Sequence, residues 1–177
     1  MERQLEMLQP LLDVPVIRRI RRNHGLEHAT IHLLSRQIAD LRLIGHSDAG
    51  GFWLIGDVPT ELVEQSAHAA LARMRGGEHR LALHPNCGTN LVTVASLGTL
   101  ATLLALVGAG REKNGAIQRI PLIVLAIMGS VVFGQPLGML LQKYVTTLGD
   151  PADLELVAVE QVERRGMPMH RITTRSS

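Results

Sequence analysis

Three histidines and a glutamate lie close together in the stretch HGLEHATIH, which begins at His24. His24, Glu27 and His28 stand at positions i, i+3 and i+4, so a helix would carry all three on one face. Two imidazoles one turn apart can bind one metal ion, and a carboxylate between them can reach a water molecule on that ion. The spacing therefore predicts His24 and His28 as ligands of zinc or another divalent transition metal, and Glu27 as the catalytic general base.

The same residues have the H-x-x-E-H pattern of the inverted zinc peptidases, which favours hydrolysis of a peptide or amide bond. His32 lies one turn further along, where it could be another ligand or a hydrogen-bond partner of a ligand. A second motif, HPNCGTN, places His84 and Cys87 three residues apart across a proline-containing turn. Because two helical histidines leave a zinc site short of protein ligands, His84 and Cys87 are predicted as further metal ligands.

Three interpretations of these motifs stay open. In the first, the chain is a zinc-dependent hydrolase in which Cys87 is a fourth ligand or hydrogen-bonds a ligand. In the second, Cys87 closes the coordination sphere, and the chain is a membrane adaptor with a structural or sensing metal site and no catalysis. In the third, no metal binds, and the polar helix face is buried against the HPNCGTN turn by hydrogen bonds.

Two long segments without a charged residue occupy the middle of the chain, at positions 90–110 and 120–142. A helix needs about 20 apolar residues to cross the hydrocarbon core of a bilayer, and both segments reach that length. The stretch between them, REKNGAIQR, is short and polar, which predicts an antiparallel transmembrane hairpin. A chain of 177 residues is too short to wrap a soluble core around two such segments.

Small residues four positions apart predict that the two membrane helices pack closely. Gly98 and Thr102 provide this spacing in the first segment, and Gly134 and Gly138 provide it in the second. Pro136 is expected to kink the second helix.

The residues on both sides of the hairpin have the patterns of a small α+β domain with about two helices and four to five short strands. Apolar spacing predicts one helix over 16–39, and a second helix that is capped by Asp57 and runs to residue 75. Alternating residues predict two strands around a turn at 48–51, a short strand over 80–84, and two C-terminal strands joined at Arg165 and Gly166.

The predicted organisation therefore has three parts. Residues 1–89 form the N-terminal part of the polar domain and carry the metal-site motifs, and residues 90–142 form the hairpin. Residues 143–177 supply the C-terminal strands that complete the polar domain. Because Cys87 precedes the first apolar segment by three residues, a metal site that includes it is expected at the membrane surface.

Charge and cysteine content guide the predicted partners and location. The net charge of +2 is too small to indicate a nucleic-acid partner, and the arginine cluster at 18–22 is expected to meet lipid phosphate. A single cysteine excludes an intrachain disulfide and agrees with a cytoplasmic polar domain on a multi-pass protein of the inner membrane. The predicted partners are the lipid bilayer and a membrane-borne peptide or lipid-linked substrate, and a homo-oligomer is compatible with the sequence.

The two motifs together resemble the YqhQ-like family of bacterial membrane proteins, which are described as predicted metal-dependent enzymes. That family combines H-G-x-E-H-x-T-I with a later H-P-x-C-G-T just before a membrane segment. Here the first pattern begins at His24, the second begins at His84, and the apolar segment follows. The chain is shorter than is usual for that family, and His32 lies outside its pattern. The resemblance implies a membrane-bound metal-dependent enzyme and names no substrate.

Overall fold

The computed structural model describes residues 2–107, 115–164 and 166–177. Residues 108–110 at the end of the first predicted membrane segment, residues 111–114 of the predicted loop, and Arg165 at the predicted C-terminal turn lie outside the described residues. The chain forms two compact units. The first, called here the polar unit, comprises Met1–His84 and Lys143–Ser177; the second, the hairpin unit, is Pro85–Gln142.

The polar unit contains three helices and two pairs of strands in its described residues. Its first segment contains α1 (Glu2–Leu12), α2 (Pro15–Ser35), β1 (Ile44–Asp48), β2 (Gly51–Ile55), α3 (Thr60–Arg75) and a 3-10 turn (His79–Ala82). Its second segment contains β3 (Glu155–Arg164) and β4 (Met167–Arg175). The mixed helix-and-sheet class predicted from the sequence is confirmed.

The described strands form an antiparallel sheet in the order β1-β2-β4-β3, so the last strand of the chain lies in its interior. The register pairs Phe52 of β2 with Ile172 of β4, and both side chains are fully buried. Helices α2 and α3 pack against each other and against the sheet. The core contains Leu26 and Leu34 of α2 and the Val63–Met74 face of α3, so alternation in the strands and helical spacing bury a common apolar layer.

Three local predictions require correction. Helix α2 ends at Ser35 rather than Ala39, because the backbone N–H groups of Gln37 and Ile38 both donate to the Leu34 carbonyl and the chain then turns away. Asp57 does not cap α3, which begins at Thr60 after Pro59 without a side-chain cap.

The predicted strand at 80–84 is a 3-10 turn instead. Its backbone is satisfied locally, since the N–H of Leu81 donates to the Glu78 carbonyl and the N–H of Leu83 donates to the Arg80 carbonyl. The neighbouring residues Leu81 and Ala82 are both buried.

The hairpin unit consists of α4 (Gly88–Leu106), a short helix α5 (Gly115–Gln118) and α6 (Ile120–Leu141). A π-helical turn, Gln142–Thr146, follows α6 and leads back into the polar unit. Both long helices have the length and apolar character needed to cross a membrane, and α6 continues through Pro136. Only 22% and 11% of their most apolar windows are buried, so the described residues leave most of this apolar surface uncovered.

Small residues bring α4 and α6 into close contact, as their spacing predicts. A Cβ atom added at Gly134 would lie 3.0 Å from the Cα of Val94, and one added at Gly138 would lie 2.8 Å from the Cα of Asn90. One turn of α6 therefore matches one turn of α4 in antiparallel register. The buried Gln142 side chain adds a polar link by donating to Asn90 Oδ1 at 2.8 Å.

The stability of the polar unit is expected to fall on mild acidification because of His170 in β4. This side chain is fully buried, its Nε2 lies 3.1 Å from the Thr60 hydroxyl, and its Nδ1 has no hydrogen-bond partner among the described residues. Burial lowers the pKa of His170 below its ordinary value of 6.5. The unfolded chain therefore takes up this proton first, so the stabilisation is complete above pH 6.5 and is lost as the pH falls from there towards the lowered pKa.

Thermal unfolding with a chelator present, measured between pH 7.5 and 5.5, would test this expectation. His170→Gln should show a shallower loss of midpoint than wild type, whereas the change His68→Gln on the exposed face of α3 should leave the wild-type slope unchanged. Equal slopes for wild type and His170→Gln would contradict the assignment.

Candidate metal centre

Four histidines of the polar unit lie in a continuous row. The ring centroids of His24 and His28 are 4.4 Å apart, and His84 lies 5.7 Å from His28 and 4.9 Å from His32. Helix α2 supplies three of these rings at successive turns, and the chain following the 3-10 turn brings His84 to them. An ion bound about 2.0–2.1 Å from each ring nitrogen requires imidazoles in such proximity. The structure thus brings together the predicted ligands His24, His28 and His84. His32, which the sequence offered as another ligand or as a partner of a ligand, lies beside His84.

Backbone carbonyl groups fix the orientation of three of the rings. The Nδ1–H of His24 donates to the Thr146 carbonyl at 2.9 Å, and the Nδ1–H of His28 donates to the Ala82 carbonyl at 2.7 Å. The neutral rings of His24 and His28 therefore carry their lone pairs on Nε2. The Nε2–H of His32 donates to the Leu83 carbonyl at 2.8 Å, which puts its lone pair on Nδ1. Such a carbonyl contact on the far nitrogen is typical of metal-binding histidines.

The environment of His84 keeps its imidazole neutral. Burial, together with the neighbouring rings of His32 and His28, lowers the pKa of His84 to about 4. Only the neutral form can donate a lone pair to a metal ion. The donor set and its electrostatics therefore fit a divalent transition metal.

Glu27 lies on the side of α2 that faces β1. Its side chain is buried, and the Ser47 hydroxyl donates to its Oε2 at 2.5 Å. Burial raises the pKa of Glu27, while the hydrogen bond from Ser47 and the nearby His24 and His46 act in the opposite direction. The Glu27 carboxylate therefore interacts electrostatically with His24, the first ring of the histidine row.

Gly45 of β1 makes room for the Glu27 carboxylate. A Cβ atom at position 45 would overlap the side chain of Glu27, whose Cγ would be only 2.9 Å away. Sequence reasoning missed both Gly45 and Ser47, because their contacts with Glu27 come from the packing of β1 on α2. A serine two residues after a glycine in a predicted strand was the only sequence signal available.

Cys87 belongs to the hairpin unit, where it is the N-cap residue of α4. Its side chain is buried, and its Sγ accepts a hydrogen bond from the Thr89 N–H at 3.4 Å. Three peptide units join it to His84, so the chain alone keeps the two Cα atoms within about 11 Å of each other. Cys87 therefore remains a predicted ligand on the strength of its position in the sequence.

Comparison with known proteins places the chain in a family. Residues 19–159 match the profile of a family described as a domain of unknown function, DUF6391. The chain belongs to this family. The DUF6391 match includes the histidine row, Glu27 and both long apolar helices.

A relative of this DUF6391 chain is an uncharacterized protein of Picosynechococcus sp. The two are 30% identical over 172 residues, which cover 88% of this chain and 79% of the relative. No solved structure matches the chain. These matches do not link the chain to the YqhQ-like family that its motifs resemble.

Proposed function

We propose that this chain is a membrane-anchored metal-binding protein, and that it is a zinc-dependent hydrolase whose H-x-x-E-H site works at the membrane surface. The ligands are His24, His28 and His84, with Cys87 as a fourth ligand or as a hydrogen-bond partner of a ligand, and the bound ion is zinc or another divalent transition metal. Glu27 is the general base. The substrate class is a peptide or a lipid-linked molecule held at the membrane.

The observation that carries the metal proposal is the pair of carbonyl contacts behind His24 and His28. Each Nδ1–H donates to a backbone carbonyl, which fixes the tautomer with the lone pair on Nε2. Two such rings, 4.4 Å apart on successive turns of one helix, need no rearrangement of their tautomers to accept an ion.

The chemistry would be divided between the ion and the chain's own residues. A divalent ion held there would act as a Lewis acid towards water and towards a substrate carbonyl. Glu27 would accept the proton of the attacking water, and its raised pKa brings it closer to the range useful for a general base. Ser47 would hold the carboxylate in position through its hydrogen bond.

The membrane proposal is supported by the two long apolar helices and by where the chain joins them. Helix α4 begins four residues after His84, and α6 ends five residues before Thr146, which accepts the hydrogen bond from His24. One connection therefore runs from the proposed ligand His84 into α4, and the other runs from α6 to the carbonyl that orients His24. A substrate that reaches this site from the bilayer surface fits such a position better than a freely diffusing one.

The alternative is a closed metal site in a membrane adaptor with a structural or sensing role. The orientation of Glu27 favours this reading, since its Oε2 is already engaged by Ser47 on the side facing β1. In this case His24, His28, His84 and Cys87 would fill all four positions, and Glu27 would orient a ligand.

Cobalt substitution of the purified full chain would discriminate between these two functions. An open site should keep its cobalt in Cys87→Ser, and a hydroxamate should change the visible spectrum by entering the open position. A closed site should show a thiolate-to-cobalt band, lose it in Cys87→Ser, and ignore the hydroxamate. Failure of the wild-type chain to bind cobalt or zinc would eliminate both.

A further inference from the structure

We propose that the segment from Met7 to Arg19 lies on the surface of an anionic membrane. Its apolar side chains would enter the boundary between headgroups and acyl chains, and Arg18 and Arg19 would contact lipid phosphates. This surface, called here the N-terminal face, rests on the membrane anchorage proposed above. It adds a lipid-binding element outside the two long apolar helices.

The N-terminal face exposes apolar side chains that the described residues do not cover. Met7 and Leu11 of α1 are 80% and 58% exposed, and Leu8 is exposed beside them. These three lie at i, i+1 and i+4, which places them on one side of the helix. Val14 and Val16 continue the exposed apolar surface to the start of α2. A helix that presents such a stripe next to basic residues is typical of segments that lie in a membrane interface.

The four neighbouring arginines divide into two pairs with different surroundings. Arg21 donates to the carbonyls of Tyr144 and Thr147, and Arg22 forms an ion pair with Asp153 at 2.7 Å. Arg18 and Arg19 are half-buried, and neither forms a side-chain hydrogen bond or an ion pair among the described residues. The buried Nε atoms of all four arginines lack a partner there, so the pairs differ only in the other guanidinium contacts. The second pair is therefore the one suited to phosphate, which guanidinium groups bind well.

The contacts of α2 with the segment that follows α6 indicate that a bilayer, rather than a soluble partner, covers the N-terminal face. The carbonyls that Arg21 binds belong to the segment that leaves α6, and they follow its last residue by three and six positions. Within that segment, Lys143 lies over the ring of Tyr144 at 4.9 Å. Tyrosine and lysine at the end of an apolar helix are typical of the membrane–water interface. Through Arg21, α2 thus binds the segment of the chain that is expected to lie at that interface.

Tryptophan fluorescence in vesicles with brominated acyl chains would test the N-terminal face. The native tryptophan is first removed by Trp53→Phe, since the chain has no other. Leu11→Trp in this background should be quenched at least about threefold more than Gln9→Trp, which lies on the opposite side of α1. Adding phosphatidylglycerol to phosphatidylcholine vesicles should increase the quenching of Leu11→Trp. Replacing Arg18 and Arg19 with glutamine should remove that increase.

Co-flotation with the vesicles separates this inference from the membrane anchorage itself. If the protein floats but both tryptophans are equally unquenched, the N-terminal face is not a lipid surface, although the anchor holds. If Leu11→Trp is unquenched and the chain forms dimers that shield it, a second copy covers the face and the inference is wrong. If the protein does not float, the anchorage fails and the inference fails with it.

Discussion

Replacing His28 with alanine is expected to lower the metal affinity of the purified chain by at least about 100-fold, since the loss of even an outer partner of a ligand costs 10–100-fold. His28 is the central ring of the row, next to both His24 and His84. Its removal takes away one donor and also leaves the Ala82 carbonyl without its hydrogen-bond donor. Metal content by mass spectrometry of the protein after dialysis is the direct measurement.

The matched control for this variant is His68→Ala. His68 also lies on a helix of the polar unit, but it is exposed on α3 and takes no part in the histidine row. Its variant should retain wild-type metal content. Circular dichroism and a His28→Gln variant separate loss of the ligand from loss of the fold. If His28→Ala and His28→Gln both fold and keep the metal, the proposed centre is wrong.

Replacing Gly134 with alanine is expected to destabilise the hairpin unit by about 1–3 kcal/mol, the usual cost of overfilling a packed interface. The added Cβ would lie 3.0 Å from the Cα of Val94. A backbone atom cannot rotate away as a side chain can, so α4 and α6 would have to separate. Unfolding in mixed detergent micelles, followed by circular dichroism, would report the change in free energy.

Gly129→Ala provides the control for this effect. Gly129 lies in the same helix, but a Cβ added there meets no atom within 4 Å. Alanine favours the helix over glycine by about 1 kcal/mol, so this variant should be neutral or slightly more stable than wild type. Equal destabilisation by both substitutions would show that the effect comes from the helix itself and not from its contact with α4.

The elements with strong patterns could be predicted from the sequence. The two uncharged segments predicted α4 and α6. The glycines at 98, 134 and 138 predicted the contacts between these helices, because small residues let two helix backbones approach closely. The β1–β2 hairpin was predictable because its glycines follow Asp48, whose carboxylate accepts the N–H of Gly50. Helix α1 was missed because Pro10 interrupts its sequence, although Met7, Leu8 and Leu11 have the spacing of one helical face.

The candidate site was only partly accessible to sequence reasoning. The spacing of His24, Glu27 and His28 identified the helix face, because helical geometry alone brings these positions together. The carbonyls of Ala82 and Thr146 that orient the rings could not be predicted, since every residue has a carbonyl and only the fold decides which ones face the site. His32 lies outside the pattern of the YqhQ-like family. Its contact with His84 could not be predicted, because it depends on the 3-10 turn that replaces the predicted strand.

The interior position of β4 has a topological consequence. This strand is made after the hairpin unit, yet it pairs with β2, which is made before it. Residues on both sides of the hairpin unit must therefore share one compartment, so the intervening chain can cross a bilayer only an even number of times. During synthesis, the sheet cannot close when β2 leaves the ribosome, because β4 has not yet been made. If the apolar helices insert into a bilayer during synthesis, their insertion precedes the completion of the histidine-bearing unit by β4.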